Sequence, residues 1–171
     1  MKYKIVTSNS IKEVSLGKIS SNLGIQSEIY ALSGGEVYLG MISHKTLVLF
    51  SVEFADYALQ NYAKGKHPKT KTCIALTRKW IKDDASVSKE ELRAAAYAAD
   101  AATAATSSAA SAAYAAWAAA NADAAAVYVA NAADAAYYAA WAAKEDKKKE
   151  YIRQGQFIID FLKSGNQLFL V

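Results

Sequence analysis

A mainly α fold is expected for this 171-residue chain: a helical bundle containing a long antiparallel alanine-rich helix pair, with a small N-terminal β-rich (α+β) cap. Three observations predict it. Alanine supplies 31 of the 50 residues from Ala94 to Ala143, and it is the strongest helix former. One proline and eight glycines leave little material for loops. The hydrophobic period changes at His44, from the alternation of a strand to the i, i+4, i+7 spacing of a helix. That change divides the chain into a cap over 1–43 and a bundle over 44–171.

In the cap, Tyr3, Ile5 and Thr7 alternate with Lys4 and Val6 as a strand does. Glu28–Leu32 and Glu36–Ile42 flank Gly34 and Gly35 as a hairpin. Between these segments Ser10 precedes Glu13 by three residues, a capping-box spacing that predicts a short helix with Ile11, Val14 and Ile19 on one face. The expected order is β-α-β-β, with Leu168–Val171 a candidate edge strand of the same sheet.

In the bundle, Leu47, Val48, Ser51, Phe54, Ala55, Ala58, Leu59 and Tyr62 share a face and predict a helix over 44–63, ended by Gly65 and Pro68. A second helix over 69–82 buries Cys73, Ile74, Thr77, Trp80 and Ile81 and stops at Asp83 and Asp84. Ser88 and Glu91 form a capping box directly before a third helical run. Counting about 100° per residue from Ser108 to Ala143 leaves a strip roughly 120° wide that holds only alanine, apart from Ser108, Ser111 and Val129. Leu92–Thr106 carries a comparable strip. Two such strips predict two backbones packed closely side by side, turning near Thr106–Ser108. One unbroken helix over 92–143 would stretch roughly 78 Å, too long for a compact domain of this size. After the charged run Lys144–Glu150, the residues Tyr151, Ile152, Gly155, Ile158, Ile159 and Leu162 give the last helix a buried face.

The net charge of +4 splits as +5 over 1–93, −3 over 94–143 and +2 over 144–171. Lys64, Lys66, Lys69, Lys71 and Arg78 form a candidate basic patch for phosphates or an acidic partner, or simply a solvated face. Glu53 and Asp56 lie three apart, as an acid pair or as salt-bridge partners of that basic stretch. Cys73 is the only cysteine and stands in an apolar set, so no disulfide framework is expected and the cytoplasm is the default compartment. The N-terminus has no secretory pattern, and Asp100, Asn121, Asp123, Asn131 and Asp134 interrupt the alanine segment too often for a membrane span. No phosphate-binding loop, dinucleotide fingerprint or nucleophile elbow is present, and two histidines with one cysteine do not assemble a common zinc site. His44 reads as a polar residue at a helix start. The expectation is a non-enzyme with no cofactor.

The chain has 11 tyrosines and three tryptophans. Tyr97, Tyr114, Trp117, Tyr128, Tyr137, Tyr138 and Trp141 all stand among alanines. Such rings serve either as core bulk or as an exposed contact surface. Asp123 and Asp134 fall within roughly 20° of each other on a helix, with Asn131 and Trp141 nearby. Candidate partner-binding residues are therefore Tyr114, Trp117, Asn121, Tyr128, Asn131, Asp134, Tyr138 and Trp141, a set that reads a partner's basic surface or a small ligand, or else packs and hydrogen-bonds against the other helices.

His44 opening an apolar helix, the Glu53–Tyr57 stretch EFADY, the basic loop with Pro68, Trp80, and the start SKEELRAAA from Ser88 together form a recognisable pattern. Over about residues 41–163 it resembles the alanine-rich "putative immunity protein" family of bacterial polymorphic toxin systems. The resemblance implies an all-helical bundle and an immunity or inhibitor protein that binds and neutralises a toxin, with no catalytic motif. The alternative is a protein that sequesters a small nucleotide signal, as a phage anti-defence protein would, with Tyr/Trp rings stacking on the ligand and the basic patch holding its phosphates. Nucleic-acid binding is disfavoured, because the central segment is acidic. An exposed alanine or aromatic strip would also favour a homo-oligomer.

Overall fold

The computed structural model describes residues 2–7, 10–20, 28–32, 43–64, 67–101, 107–121 and 125–164. Among these described residues three strands, β1 (Lys2–Thr7), β2 (Ser10–Ser15) and β3 (Glu28–Leu32), are followed by six α-helices. These are α1 (His44–Asn61), α2 (Pro68–Lys82), α3 (Lys89–Asp100), α4 (Ser107–Ala120), α5 (Ala125–Ala142) and α6 (Lys147–Lys163).

The expected fold class needs correction in two places, and what stands of it is the mainly α class. The first correction is the β-rich (α+β) cap. No helix runs from Ser10: that segment is β2, and it pairs antiparallel with β1 along its whole length. A capping-box spacing with no long amphipathic run behind it specifies little, because helices shorter than about 12 residues are marginal in water. The ladder with β1 offers six residue pairs and sets Lys4 opposite Glu13. The strand β3 pairs with the other edge of β1, giving the order β2-β1-β3. Among the described residues no β layer closes over the helices. The N-terminal segment is seated on α6 by a single 3-10 turn, Leu16–Lys18. Ile19 follows the turn into the core, fully buried. The seat depends on Gly155, since a Cβ there would run into the Leu16 backbone. The expected strands Glu36–Ile42 and Leu168–Val171 lie outside the described residues.

The second correction is the long helix pair. The alanine segment forms three helices, and α4 and α5 replace the single helix expected from Ser108 to Ala143. A straight helix of that length would span about 54 Å. The chain leaves α4 at Asn121, whose backbone N–H and side-chain Nδ2 both donate to the Trp117 carbonyl, at 3.1 and 2.7 Å.

Local signals fix the other boundaries. The Ser43 hydroxyl accepts from the Thr46 backbone N–H and starts α1, and Pro68 occupies the first turn of α2. The Ser88 and Glu91 side chains cap each other's backbone N–H at 3.1 and 2.8 Å to start α3.

Two helices sit inside the bundle. The helix α1 is buried on two sides. Val48, Val52, Ala55 and Leu59 join a cluster with residues of α2, α3 and α4, whereas Leu47, Phe50, Phe54 and Ala58 face α5, α6 and Ile19. The helix α4 packs against α1, α2, α3 and α5, and Ala109, Ala112, Ala113, Ala115, Ala116, Ala118, Ala119 and Ala120 are each buried. Alanine on nearly every side is what a helix surrounded by four others requires, because small side chains let axes approach to the low end of the usual range of about 8–10 Å.

Methyl faces leave backbone carbonyls within reach of neighbouring side chains. Cys73 Sγ donates to the Ala112 carbonyl at 3.3 Å, and Ser111 Oγ to that of Ala135 at 2.7 Å. Gln154 Nε2 reaches the Ala136 carbonyl at 3.1 Å, and His44 Nε2 lies 2.7 Å from that of Ala118. These bonds set helix register where methyl groups alone carry little directional information.

Glu150 ties α6 to the end of α1. Its carboxylate is buried, held by Arg153 at 2.6 and 2.8 Å and by the Tyr62 hydroxyl at 3.0 Å. Burial and then the adjacent Glu150 charge push the Tyr62 pKa upward, so the phenol stays protonated and donates. The Arg153 guanidinium lies 3.6 Å from the Tyr57 ring centroid.

Candidate functional site

The positions of α4 that are not packed on all sides carry Tyr114 and Trp117, both half-buried. The neighbouring helices bring further rings to them. Trp117 meets Tyr97 of α3 edge to face at 5.8 Å and Tyr114 at 5.0 Å. Tyr114 stacks on Tyr138 of α5 at 5.3 Å with 7° between the planes. Tyr138 touches Tyr137 at 5.2 Å, and Tyr137 touches Trp141 at 5.6 Å. Lys147 of α6 places its Nζ 3.3 Å from the Trp141 ring centroid. Six rings thus form one continuous strip across three helices.

The strip is open to solvent. Tyr97 is 66% exposed, Trp141 45% and Tyr137 43%. Its middle is acidic: Asp100 and Asp134 both act on Tyr114, whose pKa is raised first by burial and then by Tyr138, Asp134 and Asp100. Asp134 is itself half-buried, and burial raises its pKa.

Of the residues expected at a partner-binding surface, the structure brings Tyr114, Trp117, Tyr138 and Trp141 into the strip, with Asp134 acting on Tyr114. Asn131 is half-buried on α5, one turn before Asp134. Asn121 instead turns back to the Trp117 carbonyl. Tyr128 belongs to α5, and its side chain lies outside the described residues. Tyr97 and Tyr137 complete the strip and were not among the expected site residues. Tyr97 falls about 40° from Arg93 and about 60° from Asp100 on α3, at the edge of the alanine face, and this angular position was the available signal.

The basic stretch is divided. Lys64, Lys69 and Lys71 are exposed, whereas Lys66 lies outside the described residues. Arg78 is engaged: its guanidinium holds Glu53 at 2.8 and 2.9 Å and Asp56 at 2.8 Å, bridging α2 to the acid pair on α1. The adjoining cleft of about 490 Å3 is lined by Asp56, Lys71, Arg78 and Lys79 among others.

Among the described residues no group of three or more His, Cys, Asp or Glu side chains is placed to hold a metal ion. Burial pushes the Cys73 thiol up to about 12, which keeps it protonated. His44 packs edge-on to Trp80 at 5.2 Å and sits against the Ala118 carbonyl, a structural position. No described helix is long and apolar enough to cross a membrane.

No curated protein and no solved structure matches the chain. Residues 38–158 match the family model described as Imm-5 like putative immunity protein, a span that takes in α1–α5, most of α6 and every ring of the strip. The chain belongs to that family.

Proposed function

We propose that the chain is a non-catalytic immunity protein, working in the cytoplasm of the cell that makes it, which neutralises a protein toxin by covering part of its surface. The aromatic strip across α3, α4 and α5 is the face it uses. The observation that carries this reading is the continuity of the six rings, three of them more than two-fifths exposed, on a rigid helical support. Tyr and Trp supply large contact areas at low entropic cost and dominate binding hot spots. A surface of this kind on a soluble bundle marks a contact site.

The nucleotide-sequestering alternative has less support. Tyr114 and Tyr138 already stack on each other, leaving no slot between them for a base, and Arg78 is occupied by two carboxylates.

The test is calorimetric titration of the protein against the products of the genes adjoining its own, a toxin among them being the expected ligand. Trp141→Ala and Tyr97→Ala truncate exposed rings without opening the core. Each is expected to weaken binding about tenfold or more, with an unchanged circular dichroism spectrum. Wild-type affinity in both variants would contradict the reading.

A further inference from the structure

We propose that the strip is a receptor for one arginine side chain of the toxin, taken up against the Tyr114–Tyr138 ring pair between Asp100 and Asp134. This rests on the strip being the toxin-binding face, and it names the chemistry that face recognises.

Five carboxylates among the described side chains are half-buried or buried: Glu53, Asp56, Asp100, Asp134 and Glu150. Three have cations. Glu53 and Asp56 share Arg78, and Glu150 holds Arg153. Asp100 and Asp134 have neither a hydrogen bond nor an ion pair among the described residues. Asp100 follows Tyr97 by one turn on α3, and Asp134 precedes Tyr138 by one turn on α5, so the two helices bring one carboxylate to each side of the ring cluster around Tyr114. A partly desolvated carboxylate without a counter-charge is costly, and a cation supplied by a partner relieves that cost on binding.

The same chain shows what completes such a group. Arg153 lies over the Tyr57 ring at 3.6 Å and pairs with Glu150 through two nitrogens. Around Tyr114 the same kinds of group, rings and carboxylates, stand together, and among the described residues no ion pair is made to either carboxylate. Arginine fits better than lysine, because its planar fork pairs with a carboxylate and stacks on a ring at once. The surrounding segment 94–143 carries a net charge of −3, which attracts a basic partner surface.

The experiment titrates the full chain with a capped tetra-arginine peptide at low salt, followed by intrinsic tryptophan fluorescence, with tetra-lysine and tetra-glutamate as comparisons. The arginine peptide is expected to bind more tightly than the lysine peptide, the glutamate peptide not at all. In the double variant Asp100→Asn, Asp134→Asn the arginine affinity is expected to fall about tenfold, with the melting temperature unchanged or raised. No binding of the arginine peptide, or equal affinity in the double variant, overturns the proposal. Toxin titrations separate the two readings. If Trp141→Ala loses toxin affinity while the double variant keeps it in full, the arginine site is overturned and the docking face stands. If Trp141→Ala and Tyr97→Ala both leave toxin affinity intact, both readings fall.

Discussion

Ala116→Leu is expected to destabilise the protein by about 3 kcal/mol, near the upper end of what overpacking a close-packed core costs. Ala116 is fully buried on α4 in the cluster that includes Val48, Val52, Leu92 and Ala99. Leucine is nearly as good a helix former as alanine, so the loss comes from packing rather than propensity. Three added carbons must displace one of the four helices that touch α4, and none has slack where methyl groups already meet. Ala94→Leu, at an exposed position of α3, is the control and is expected to stay within about 0.5 kcal/mol of wild type. Urea unfolding of both variants checks this, and equal midpoints would show that α4 is not tightly enclosed.

Arg153→Met is expected to cost about 3–5 kcal/mol, because it strands the Glu150 carboxylate inside the bundle. The Glu150 side chain is 0% exposed, against 27% for Arg153, so little water is available to replace the lost partner. The substitution also removes the cation from the Tyr57 ring. Removing both charges is expected to be milder: the double change Glu150→Met, Arg153→Met should be more stable than Arg153→Met alone, since no uncompensated charge remains. A double variant as unstable as the sum of the two single changes would mean that the pair is not the coupled unit described above.

Much of the helical half is legible in the sequence because its signals are local. The Ser88–Glu91 box, Pro68 at the start of α2 and the apolar spacing of α1 act within a few residues of where they are written. The alanine segment is harder to read. Alanine favours helix everywhere and punctuates nothing, so the break between α4 and α5 is set by the size of the bundle rather than by a local stop signal. An alanine helix in the middle of four others also looks in sequence like one with a single packing strip, since a methyl group fits either place. In the N-terminal segment, the β2 pairing depends on β1 being present, which a capping-box spacing does not encode.

The site shows the same division. Angular counting sets Tyr114, Trp117, Tyr138 and Trp141 clear of the methyl faces because their bulk excludes them from close backbone contact. It does not reveal that Tyr97 joins from α3 and Tyr137 bridges to Trp141, which follow from how three helices are placed side by side. That Asp100 and Asp134 make no ion pair among the described residues is likewise a tertiary fact. The basic stretch read as one patch in sequence, yet Arg78 is spent on Glu53 and Asp56, 25 and 22 positions earlier in the chain.

Hydroxyl-radical footprinting of the protein, free and saturated with the toxin proposed as its partner, reads the location of that partner most directly. The account predicts that labelling of Tyr97, Tyr137 and Trp141 falls on binding while Lys69 and Lys71 on α2 label as before. Rings that stay fully reactive in the complex, with protection moved to α2, would contradict it.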